Sequence, residues 1–167
     1  SRLSRSWGRQ RLGTKSAEDT RELAAAIAAL VEPGDVVLLV GDLGAGKTTF
    51  AQGFGAGLGV SEPITSPTFV LVRSYRGRLD LLHADVYRLD RLQEVVDLGL
   101  PELLDEGGVA LVEWGDMAAP ALAPDFLEVH LHQEGEDERT IDLRPVGRRW
   151  SARWPALGSA LQRWQLP

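Results

Sequence analysis

Gly41, Gly46, Lys47 and Thr48 stand at the spacing G-x-x-x-x-G-K-[ST] in Gly41-Asp42-Leu43-Gly44-Ala45-Gly46-Lys47-Thr48. That pattern binds phosphate for reasons that can be read residue by residue. The glycines admit positive φ and let backbone N–H groups approach phosphate oxygens without an intervening Cβ. Lys47 reaches the outer phosphates as a compact ammonium, and the Thr48 hydroxyl is a hard oxygen ligand for Mg²⁺. The chain has only two lysines, Lys15 and Lys47, against sixteen arginines. A lysine in this slot is therefore chosen for its point charge rather than for charge alone. The stretch is a nucleotide-binding loop, with its phosphate contacts expected from Asp42 through Thr49.

The flanking elements fit that chemistry. Val36 to Val40 is an unbroken apolar run, the pattern of a strand buried on both faces. After the loop, Phe50, Phe54 and Leu58 recur at helical spacing, so a helix begins near Gly46 and aims its free N–H groups at the same anion. A loop of this kind needs a carboxylate at the end of another buried strand, to hold Mg²⁺ or orient water. Two stretches offer one. Val109-Ala110-Leu111-Val112 runs into Glu113, and a noisier run from Leu79 ends in Asp85. Either acid alone would more simply be solvated or cap the next helix. Thr65, Ser66 and Thr68 lie in a polar loop that can act as a switch segment, or can be plain turn chemistry around Pro67. His83, His130 and His132 lack metal-ligand spacing with acids and read as structural.

Composition sets the outer bounds. At 167 residues, 44% hydrophobic and 25% charged, the chain is expected to form one soluble, cytoplasmic domain. No apolar run approaches a membrane span. The absence of cysteine excludes disulfides and thiolate chemistry. The net charge of −6 is segregated: residues 1–15 and 144–167 each carry five basic groups and no acid, which leaves −16 on residues 16–143. An acidic body argues against direct DNA or RNA reading. The basic ends can meet an anionic partner, fold back on the body or stay solvated.

Along the chain, residues 1–15 show no periodicity and read as a flexible leader. Ser16-Ala17-Glu18-Asp19 opens a helix over about 17–31, closed by Pro33-Gly34. Glycines 55, 57 and 59 close the helix after the loop. Thr68–Tyr75 and Arg78–Ala84 form an antiparallel hairpin. Leu92–Leu104 is a helix broken near Gly99-Leu100-Pro101, and Phe126–His132 with Arg139–Leu143 are two more strands. Trp154, Leu157, Leu161 and Trp164 make one helical stripe, read as a docked C-terminal helix; basic residues interleaved with Trp for RNA stacking is the sharper alternative.

Taken together these segments resemble the bacterial TsaE family, the ATPase component in synthesis of threonylcarbamoyladenosine (t6A) on tRNA. The carrying pieces are GDLGAGKTTF at 41–50, TSPTFVLV at 65–72, HADVYRL at 83–89, DLGLPELL at 97–104 and VEW at 112–114. The resemblance spans about residues 16–143 and leaves both basic ends outside. It implies an α/β, three-layer P-loop NTPase fold with a mostly parallel central sheet and an antiparallel hairpin. It also implies Mg²⁺ and ATP binding, slow ATP hydrolysis, docking on the TsaB–TsaD pair, and contact with tRNA through that complex only. In that picture Thr48 and Glu113 hold Mg²⁺, Lys47 binds phosphate, and Asp85 assists hydrolysis. Thr65, Ser66, Pro67, Thr68 and Phe69 form the nucleotide-sensing partner loop.

Two other readings compete. A stand-alone small-molecule kinase would need an arginine-bearing lid, for which Arg73, Arg76 and Arg78 are the nearest cluster. A nucleotide-dependent scaffold without turnover would have little use for both Glu113 and Asp85.

Overall fold

The computed structural model describes residues 8–41, 44–65, 72–86, 89–114 and 124–167, with backbone alone at 89–92. The described residues form one seven-stranded sheet with helices on both faces. In chain order the elements are β1 (Gln10–Thr14), α1 (Ala17–Ala28), β2 (Val36–Val40), α2 (Lys47–Gly57), β3 (Val72–Arg76), β4 (Asp80–Val86), α3 (Leu89–Asp97), α4 (Leu100–Asp105), β5 (Val109–Trp114), β6 (Phe126–Gln133), β7 (Arg139–Val146) and α5 (Trp154–Ala160), then a 3₁₀ turn at Gln162–Trp164.

Strand order is β1-β7-β6-β2-β5-β4-β3. The four central strands, β6, β2, β5 and β4, are mutually parallel, while β3, β7 and β1 add antiparallel edges. This is the expected three-layer α/β fold with a parallel centre, and it has more antiparallel pairing than the one hairpin foreseen. Every residue of β2 is buried, as its apolar run requires: Val37 and Leu39 face α1, α2 and α5, while Val36, Leu38 and Val40 face α3 and α4.

The helix starts follow local chemistry. Ser16 caps α1 by accepting the Asp19 N–H at 3.0 Å, and Asp19 in turn accepts the Lys15 N–H at 3.1 Å. The buried stripe Leu23, Ala24, Ile27 and Ala28 lies against α2. A Cβ on Gly53 of α2 would overlap the Arg21 carbonyl of α1, so glycine there sets how closely the two helices approach. Helix α2 ends at Gly57, with Gly59 at φ 78° just beyond it, where the glycine run places its close; Gly55 and Gly57 themselves face packed neighbours.

Two expectations about the chain ends need correction. Residues 1–15 are not wholly a leader: Gln10–Thr14 pairs antiparallel with β7, from Gln10↔Leu143 to Thr14↔Arg139. Five residues with one apolar side chain pointing inward, Leu12, give no legible alternation, and pairing supplies what pattern does not. The boundary at 143/144 cuts through β7, which continues to Val146. Pro145 is tolerated because the pairing with β1 stops at Gln10↔Leu143, so β7 has a neighbour on one side only at that point.

The C-terminal Trp residues are core, not a stacking platform. Trp150, Trp154, Leu157, Leu161 and Trp164 are buried, and Trp164 Nε1 donates to Asp19 at 2.8 Å. The guanidiniums of Arg153 and Arg163 cover the Trp150 and Trp164 rings at 4.0 and 3.9 Å. The basic ends fold back on acids of the body: Arg149 and Arg153 on buried Asp35, Arg9 and Arg11 on Asp142, and Arg163 on Glu22. No described helix is long and apolar enough to cross a membrane.

Candidate functional site

The site forms at the carboxyl ends of the parallel strands, where open α/β sheets leave a crevice. β2 ends at Val40 and hands the chain to the glycine-rich loop, which re-enters as α2 at Lys47. Gly46 precedes the helix at φ 104°, a left-handed conformation that costs glycine little. Gly44, Gly46, Lys47, Thr48 and Thr49 then line a cleft of about 320 Å³ together with Asp85, Glu113 and Arg139.

Sheet register explains why the two acids arrive together. β4 and β5 are parallel with Asp85 opposite Glu113, and Glu113 is in turn opposite Leu39 of β2. Their side chains share the face that carries α2. Neither acid ends its strand, since β4 continues to Val86 and β5 to Trp114. Glu113 is nearly buried, at 3% exposure. Burial pushes the Asp85 carboxyl above its ordinary range, and the Glu113 carboxylate adds to that rise; the Lys47 ammonium and His83 oppose it.

The donor set fits a hard divalent cation. Thr48 contributes a hydroxyl and Asp85 and Glu113 contribute carboxylates to one cleft, all oxygen ligands. The described residues hold no group of three or more His, Cys, Asp or Glu side chains able to cage a metal alone. Mg²⁺ bound with a nucleotide does not require one, because phosphate and water complete its shell.

Of the sequence-predicted residues, Gly44, Gly46, Lys47, Thr48, Thr49, Asp85 and Glu113 therefore meet in one place. Ala45 is buried behind the loop. Thr65 is exposed and is not among the lining residues. Asp42, Leu43, Ser66, Pro67, Thr68 and Phe69 lie outside the described residues. The arginines a kinase lid would need do not line the cleft: Arg73 and Arg76 sit exposed on edge strand β3, and Arg78 donates to the Ala28 and Val31 carbonyls at 3.0 and 3.4 Å.

Two residues escape sequence reasoning. Arg139 donates from Nε to the Ala45 carbonyl at 3.1 Å and from Nη2 to the Gly44 carbonyl at 3.5 Å. Its Nη1 holds the β6–β7 turn through the Gly135, Glu136 and Glu138 carbonyls at 3.0–3.3 Å. It thus ties that turn to the phosphate loop. Nothing in the sequence separates it from the other fifteen arginines. His83, read as merely structural, places Nε2 at 2.5 Å from Glu113 Oε2. Its signal was present: in His83-Ala84-Asp85 the strand period sets His83 and Asp85 on one face. His130 and His132 likewise approach acids, Glu128 at 3.0 Å and Asp142 at 3.7 Å, away from the cleft.

Comparison with known proteins agrees with this geometry. A family model described as "Threonylcarbamoyl adenosine biosynthesis protein TsaE" matches residues 14–141. A Bacillus subtilis protein named "tRNA threonylcarbamoyladenosine biosynthesis protein TsaE" is 44% identical over 138 residues, covering 82% of this chain and 86% of its own length. One of the same name from Treponema pallidum is 42% identical, over 78% of this chain and 96% of its own. The crystal structure of Bacillus subtilis YdiB superposes with a TM-score of 0.68 at 38% identity, covering 93% of this chain and 95% of that one. With one family model across the core of the fold and relatives of this identity over most of its length, the chain belongs to the TsaE family.

Proposed function

We propose that this protein binds Mg-ATP in the cleft at the end of β2, hydrolyses it slowly, and serves t6A synthesis on tRNA by binding the TsaB–TsaD pair according to nucleotide state. The observation that carries the ATPase part is the meeting of Lys47 and Thr48, from the first turn of α2, with Asp85 of β4 and Glu113 of β5 in one cleft. The tRNA part rests on family membership.

In this reading the loop N–H groups and the Lys47 ammonium bind and orient the outer phosphates. Thr48 and Glu113 would hold Mg²⁺, which when bound offsets phosphate charge as a Lewis acid. Asp85, its carboxyl raised toward working pH, takes up a proton from the attacking water. Arg139 engages the Gly44 and Ala45 carbonyls and so steadies the loop that supplies the N–H groups. Thr65–Phe69 follows the nucleotide state and presents it to the partner.

The test is calorimetry of Mg-ATP binding to the parent protein and to Lys47→Ala, with the fold checked by circular dichroism. Lys47→Ala should lose measurable ATP binding while keeping its fold; normal affinity in that variant would sink the assignment of the loop.

A further inference from the structure

Glu113 is held by a side chain that phosphate binding does not explain. His83 lies on β4 opposite Leu111, one pleat deeper in the sheet than Asp85 and on the same face. From there Nε2 sits 2.5 Å from Glu113 Oε2. The imidazole is fully buried. Among the described residues no other side chain hydrogen-bonds Glu113, and His83 Nδ1 has no partner. With Glu113 ionised, as a cation ligand is, its carboxylate accepts and Nε2–H donates. A buried histidine with one bond spent on a cleft carboxylate and the other nitrogen unused is costly as core packing. It is the arrangement expected of an outer partner that orients a ligand.

We propose that His83 is a positioning residue for the cation site: by fixing Glu113 Oε2 it holds the carboxylate in one orientation and leaves Oε1 as the oxygen available to the cleft. This rests on the reading of Glu113 as a Mg²⁺ ligand. Partners of this kind set ligand orientation, and their loss typically costs about 10–100-fold in metal affinity. The substitution that isolates the bond is His83→Met, which keeps apolar bulk and removes the donor. His83→Gln retains an amide Nε2–H at about the same reach.

The experiment measures binding of a non-hydrolysable ATP analogue by calorimetry across a Mg²⁺ titration, with Mn²⁺ occupancy followed by EPR. His83→Met should raise the Mg²⁺ concentration for half-maximal effect roughly 10–100-fold. Analogue binding without metal should stay unchanged, and His83→Gln should recover most of the loss. An unchanged Mg²⁺ dependence in a folded His83→Met would overturn the inference. Glu113→Ala separates the two levels. If it shifts the Mg²⁺ dependence and His83→Met does not, only the role of His83 fails. If Glu113→Ala shifts nothing, the metal reading of Glu113 fails and takes this inference with it. Should His83→Met not fold, ¹⁵N-histidine spectra of the parent decide. The His83 Nε2 signal should move when Mg²⁺ joins the bound analogue and not when the analogue binds alone; a signal unmoved by Mg²⁺ contradicts the proposal.

Discussion

Asp85 and Glu113 stand side by side in register, yet their surroundings assign them different work. Glu113 is nearly buried and tied to His83, a carboxylate held still; Asp85 is half-buried with its pKa raised. Glu113→Ala should therefore lower Mg-dependent ATP hydrolysis on the order of 100-fold while weakening ATP binding much less. Steady-state rates set against calorimetric affinity check this, and equal losses in both would contradict the metal role. For Asp85 the sign follows from linkage. The folded protein binds its proton more tightly than the unfolded chain does, so this group's contribution is most favourable below the ordinary aspartate range. It is lost as pH rises through the raised folded value. Asp85→Asn should thus raise the thermal midpoint of the nucleotide-free protein at neutral pH, with the gain shrinking as pH falls toward 4; thermal scans across that range decide it. Lys47 and Thr48 were legible because their motif is local, and Glu113 because a strand-end acid is local too. The strand period already sets His83 on the Asp85 face, a signal that reading it as structural passed over; Arg139 was not legible, because its partner Ala45 lies 94 positions away in sequence.

At the scale of elements, the continuous apolar run of β2, the Ser16 cap and the break at Gly99 were readable from pattern and propensity alone. β1 was not, because an edge strand of five residues takes its stability from the register with β7 rather than from its own alternation. The start of the C-terminal segment is tied to a buried acid of the body. Asp35 is closed off from solvent, receives both Nη atoms of Arg153 at 2.5 and 2.8 Å and Nε of Arg149 at 3.0 Å, and also accepts the Glu32 N–H at 2.7 Å. Asp35→Ala would leave the nearly buried Arg153 guanidinium only the exposed Glu32 carboxylate at 3.7 Å and the Leu30 carbonyl at 2.9 Å. It should lower the unfolding free energy by about 3–5 kcal/mol in chemical denaturation. A loss under about 1 kcal/mol would mean that the segment is held by its Trp and Leu packing instead.

For the whole molecule, the segregation of charge read from sequence resolves into internal pairing. Among the described residues, Arg9, Arg11, Arg149, Arg153 and Arg163 of the two basic ends meet acids of the body. The isolated protein should accordingly retain no tRNA in filter binding at about 150 mM salt; salt-sensitive retention there would restore the basic ends as an RNA surface. Under the proposed function, contact with tRNA falls to the complex and this protein contributes its nucleotide state. Mg-ATP hydrolysis by this protein alone, with TsaB–TsaD, and with tRNA added tests that most directly. The account predicts a rate in the presence of the pair above the sum of the separate rates. An unchanged rate, with no binding to the pair in either ATP or ADP, would contradict it.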